Sequence, residues 1–124
     1  MTRPHRMIAA DTRRSSTGGL GDEYETPSGV VRYMVRHVAR ANAANDVVWE
    51  PFAAPSDAAA RVMRAEGVRV VSRTGDFFAV DTAPAGTTLI VSNPPFSRKR
   101  EVLQRLVRDF ADVPCVLVLP LATL

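Results

Sequence analysis

An α/β fold is what this sequence predicts, with an open and mainly parallel sheet carrying helices on both faces. Three observations lead there. Four apolar runs of strand length, at residues 47–50, 68–72, 88–92 and 114–120, are rich in Val, Leu and Ile with little polar alternation, as strands buried on both faces are. Before and between them lie segments with apolar residues at helical spacing. Two of the runs end in a stiff polar corner, Glu50-Pro51-Phe52 and Asn93-Pro94-Pro95-Phe96, at the strand ends where open parallel sheets bind ligands.

The elements follow in order. Residues 1–22 hold Arg3, Arg6, Arg13 and Arg14 beside Ser15-Ser16-Thr17-Gly18-Gly19 and read as a flexible basic N-terminal arm in front of one domain over 23–124. Thr26 is suited to cap a helix and Pro27 to open it, so a helix is predicted from about 27 to 43. Val30, Val31, Met34, Val35 and Val38 form its apolar face, and Arg32, Arg36 and Arg40 another. Strand 47–50 then runs into a tight loop, a helix over 58–66 and a stop at Gly67. Strand, tight loop and helix in that order make the nucleotide-binding turn of a Rossmann-like unit. Strand 68–72 comes next, and a loop over 81–87 precedes the strand 88–92 and its corner. The following helix is predicted over about 97–112, capped by Ser97, with Val102, Leu103, Leu106, Val107 and Phe110 on its buried face. Arg98, Lys99 and Arg100 sit beside the corner, with Arg105 and Arg108 further along.

Composition bounds what the chain does. Its 124 residues suffice for one core, and 46% hydrophobic with 23% charged residues is a globular balance. No apolar stretch reaches the ~20 residues of a membrane helix, and Met1 to Arg14 lacks a signal-type apolar region. A single cysteine, Cys115, excludes a disulfide framework and suits a cytoplasmic setting. His5 and His37 have no Cys or acidic neighbours at ligand spacing, so no metal is expected. The net charge is +3, and one lysine, Lys99, stands against fifteen arginines. That bias favours a phosphate-bearing partner, or else records an arginine preference with solvated charges.

The corner at 93–96 is the most chemically specific stretch. Each proline fixes its own φ near −65° and pushes the residue before it toward extended conformations. Asn93 and the Pro94 carbonyl thereby offer two acceptors at a strand end, beside the flat face of Phe96. An amino group is what such a corner recognises.

These residues resemble the Asn-Pro-Pro-aromatic motif of S-adenosylmethionine (SAM) dependent amino methyltransferases, most of all the adenine-specific DNA enzymes. The likeness covers residues 22–124 and suggests a truncated or minimal, phage-like member with a Rossmann-like methyltransferase core whose C-terminal strands are missing. It implies catalytic roles for Asn93, Pro94, Pro95 and Phe96. It also implies cofactor contacts from Tyr24 and Thr26, from Glu50, Pro51, Phe52 and Ala53, and from Asp76 with Phe77, the aspartate reading the SAM adenine and the ring packing on it. Three positions depart from the family pattern: Ala54 and Ser56 replace glycines, and Arg73 replaces the acid that binds ribose hydroxyls. Weaker cofactor binding is the expected consequence.

The implied reaction is methyl transfer from SAM to the exocyclic amino group of adenine in DNA. Alternatives are an RNA base, a protein glutamine amide, or an inactive remnant that serves as a binding module for nucleic acid or a partner subunit. Cofactor binding separates the enzymes from the remnant.

Overall fold

The computed structural model describes residues 8–10, 26–53 and 56–120. Its elements are strand β1 (Ile8–Ala10), helix α1 (Ser28–Tyr33) continuing as a π-helical stretch over Met34–Val38, β2 (Val47–Glu50), α2 (Ala58–Ala65), β3 (Arg69–Ser72), β4 (Leu89–Ser92), α3 (Lys99–Asp109) and β5 (Cys115–Pro120). Short 3-10 turns at Phe77–Ala79 and Phe96–Arg98 precede β4 and α3 respectively. The sheet is parallel throughout, in the order β1-β5-β4-β2-β3. The chain is therefore α/β with an all-parallel sheet, compatible with a Rossmann-like fold.

Strand residues alternate between two cores. Val48, Leu89, Val91, Val116 and Val118 pack with Val31, Met34, Val35 and Ala39 and with Met63 of α2. Trp49, Ile90, Cys115, Leu117 and Leu119 pack with Val102, Leu106 and Phe110 of α3 and with Phe77. Helices on both faces explain why these strands are apolar on both sides. The indole N–H of Trp49 donates to Thr74 Oγ1 at 2.9 Å, so burying this ring strands no donor.

The order of strands decides where a ligand fits. After β2 the chain passes through α2 to β3 on one side, and after β4 it passes through α3 to β5 on the other. The neighbours β2 and β4, paired with Trp49 opposite Ile90, thus form the switch point, and the crevice outside their C-terminal ends is the expected binding place. Both sequence corners lie at these paired strand ends.

Several expectations are corrected. Part of the predicted arm, Ile8–Ala10, is a strand on the edge of β5, in register Ile8 with Val118; the rest of residues 1–22 lies outside the described residues. The first helix ends well before residue 43, because Arg40 takes a left-handed φ of 52°. Its π-helical stretch, with the Ala39 N–H bonded to the Met34 carbonyl at 2.8 Å, moves Ala39 onto the core and leaves Val38 half-buried. Thr26 does not cap this helix: Pro27 holds the cap position, and its carbonyl accepts from Val30 and Val31. Ser97 does not cap α3, since the 3-10 turn places Arg98 there. Val107 is 70% exposed. The stripe that meets the sheet advances by fours through Val102, Leu106 and Phe110, which turns Val107 about 100° away from Leu106. Gly67, with φ of 88°, stops α2 as predicted.

Candidate functional site

Glu50 is the last residue of β2 and is 2% exposed. Ser92, the last residue of β4, donates to Glu50 Oε1 at 2.6 Å, and the Phe52 N–H reaches the same oxygen at 2.8 Å. The Asn93 backbone N–H adds a further bond to the carboxylate. Burial outweighs these donors and the nearby Asp57 charge adds to it, so the Glu50 carboxyl is pushed up to about 7. Over it lies a cavity of about 10 Å³ whose walls include Thr26, Met34, Met63, Ser92 and Asn93, room for about one water. The structure thus joins Thr26, Glu50 and Asn93, three predicted site residues from distant parts of the chain.

In the corner, Pro94 is buried and Asn93, Pro95 and Phe96 are half-buried. The Asn93 Oδ1 atom is shielded from solvent. Pro95 is extended, with φ −63° and ψ 130°, and its carbonyl accepts from the Arg98 N–H at 3.2 Å to start the turn into α3. In the loop after β2, Pro51 and Ala53 are buried and Phe52 is half-buried. Tyr24 and Ala54 lie outside the described residues.

The acid at the end of β3 comes from a place the sequence did not suggest. Asp57, with a left-handed φ of 60°, accepts from Ser72 Oγ at 2.7 Å and from Arg64 Nη1 at 3.0 Å. Burial alone raises its carboxyl, but the bonds from Ser72 and Arg64 and the charges of Arg64 and Arg73 hold it below the usual carboxylate range. Arg73 itself is exposed, in a left-handed conformation with φ 59°.

Asp76 caps its 3-10 turn by accepting from the Phe78 N–H at 2.9 Å. Phe77, the ring that the resemblance put on adenine, is 2% exposed and packs at 5.9 Å from Trp49 and 5.8 Å from Phe110. The ring left at the surface is Phe78, half-buried, meeting Phe77 edge-on at 5.4 Å and 6.5 Å from Phe52. Both rings pack against the same core, Phe77 within it and Phe78 at its edge. Sequence reasoning also missed Ser92, although a serine closing an apolar strand hints at a polar partner.

Arg105 is not a surface charge. It donates to the carbonyls of Phe77 and Val80, pairs with Asp109 at 3.1 Å and is 12% exposed, tying the turn that carries Asp76 and Phe78 onto α3. Arg105→Ala is expected to lower stability by about 2 kcal/mol, because two carbonyls lose a charged donor. Urea unfolding measures this, and a loss under about 0.5 kcal/mol, the range of ordinary surface substitutions, contradicts the clamp.

Cys115 is buried, which pushes its thiol up to about 11 and keeps it protonated and unreactive at neutral pH. Among the described residues no group of three or more His, Cys, Asp or Glu side chains is placed to hold a metal ion, and no helix is long and apolar enough to cross a membrane. Comparison with known proteins finds no matching family model, curated protein or solved structure.

Proposed function

We propose that this protein transfers a methyl group from SAM to the exocyclic amino group of adenine in DNA, on a Rossmann-like methyltransferase core. One observation carries the reading: Asn93-Pro94-Pro95-Phe96 leaves β4 at the switch point, bonded through its Asn93 N–H to a buried carboxylate from β2. The residues fit the cofactor's chemistry. Glu50 faces a cavity between Thr26 and Asn93, where a carboxylate suits a cationic group. Phe78 offers a ring and Asp76 a carboxylate for a base. On this reading SAM is held by Tyr24, Thr26, Glu50, Pro51, Phe52, Ala53 and Asp76, with Phe78 in the role first given to Phe77. When bound, SAM supplies an electrophilic methyl group on a sulfonium.

The protein's part is to make the amine reactive and hold it in place. An adenine amino nitrogen is a poor nucleophile, because its lone pair is delocalised into the ring. Accepting both amino hydrogens at Asn93 Oδ1 and the Pro94 carbonyl favours a tetrahedral nitrogen and stabilises charge developing there. Phe96 stacks on the base, a contact worth ~1–3 kcal/mol. An amino group in a duplex is engaged in base pairing, so the base must leave its duplex to reach the corner. Lys99 and Arg100, one turn beyond the corner, supply cations for the backbone phosphates.

The tight cavity over Glu50, about 10 Å³, favours a second reading, a remnant that binds nucleic acid without cofactor. Isothermal titration of the full chain with SAM decides between them. Saturable binding that is weakened in Phe78→Ala is expected; no binding heat across the accessible concentration range supports the remnant.

A further inference from the structure

Arg98 lies over the Phe78 ring, the surface that the proposed reading gives to the cofactor's adenine. Its guanidinium carbon lies 3.5 Å from the Phe78 ring centroid, direct stacking of a planar cation on an aromatic face. Asp76, the other residue assigned to the base, is near enough for its charge to act on the same guanidinium. Glu101 holds the group as a fork, accepting from Nε at 3.2 Å and Nη2 at 2.9 Å. One face of Phe78 is thus covered, while Phe77 packs edge-on against the same ring.

We propose that Arg98 is a displaceable cover over a base-stacking site on Phe78, moved aside when an adenine ring binds. The proposal rests on the reading that Asp76 and Phe78 receive the adenine of the cofactor. Two features make the cover easy to lift. The Arg98 and Glu101 side chains are 45% and 56% exposed, so their ion pair is solvated and worth little. Arg98 also sits at the junction of a 3-10 turn with α3, outside both cores, so its side chain can swing out without disturbing packing. A guanidinium yields only to a ligand that stacks better, which makes Arg98 a specificity residue. Flat aromatic bases displace it, and ligands without such a ring do not.

The test compares parent, Arg98→Ala, Glu101→Gln and Phe78→Ala by isothermal titration with adenosine and with SAM, thermal melts confirming that each variant folds. Arg98→Ala should bind both compounds roughly two- to fivefold more tightly, the size of an exposed cation–π contact. Glu101→Gln, which loosens the fork, should shift affinity in the same direction, and Phe78→Ala should weaken it. In the parent, saturation with adenosine should move the Arg98 Nε–Hε resonance out of the ring current of Phe78. Unchanged or weaker binding by Arg98→Ala, or a resonance that stays put while adenosine binds, overturns the cover and leaves the cofactor reading standing. Failure of the parent and all three variants to bind either compound overturns both.

Discussion

Under the proposed reading Asn93→Ala is expected to cut methyl transfer by ~10²–10³ while changing SAM affinity little, the loss seen when one preorganised acceptor or donor is removed from developing charge. The substitution is clean for a structural reason. The bond from Asn93 to Glu50 comes from its backbone N–H, which alanine keeps, so the buried carboxylate retains that donor while the side-chain amide is lost. Phe96→Ala should weaken target binding too, through lost stacking. Transfer from labelled SAM to unmethylated DNA, with RNA and a glutamine-containing peptide in parallel, supplies the readout. Equal turnover by parent and Asn93→Ala protein removes the catalytic role, and transfer to RNA or peptide alone reassigns the substrate.

Glu50→Gln should gain stability relative to the parent as the pH rises toward 7. The Glu50 carboxyl titrates near 7 in the folded protein against an ordinary 4.5. Between those values the folded state holds a proton that the unfolded chain has released, so raising the pH through this window costs stability; below it both states are protonated, and above it both are ionised. The full cost is on the order of 3 kcal/mol. Glutamine keeps an oxygen for Ser92 Oγ and the Phe52 N–H, both of which meet Oε1, but it carries no charge. Urea unfolding of parent and variant from pH 4.5 to 8 should therefore show the variant gaining relative to the parent as pH rises. Parallel curves show that Glu50 does not titrate in that range. Under the proposed reading Glu50→Gln should also bind SAM more weakly, because a neutral amide cannot answer a cationic group.

Local pattern determined much of this protein. Continuous apolar runs required strands buried on both faces, helical spacing marked the apolar stripes of the first and last helices apart from Val107, and prolines after Glu50 and Asn93 marked the two corners. These features are readable because periodicity and fixed φ angles act over a few neighbouring residues. What only the tertiary structure decided depends on partners far apart in the chain. Ser92 meets Glu50 across 42 residues, and the burial that raises this carboxyl comes from α1, α2 and β4 together. Phe77 and Phe78 are alike in sequence, yet packing against Trp49 and Phe110 takes one ring inward and leaves the other half-buried at the surface. By spacing Arg98 sits beside the corner and Arg105 further along the same helix, and spacing does not tell how either side chain is held. Arg105 is clamped to the carbonyls of Phe77 and Val80, and Arg98 stacks on Phe78 and pairs with Glu101. Spacing says which residues share a face, but burial and distant contacts set a group's protonation and freedom to move, and these exist only once the chain has folded.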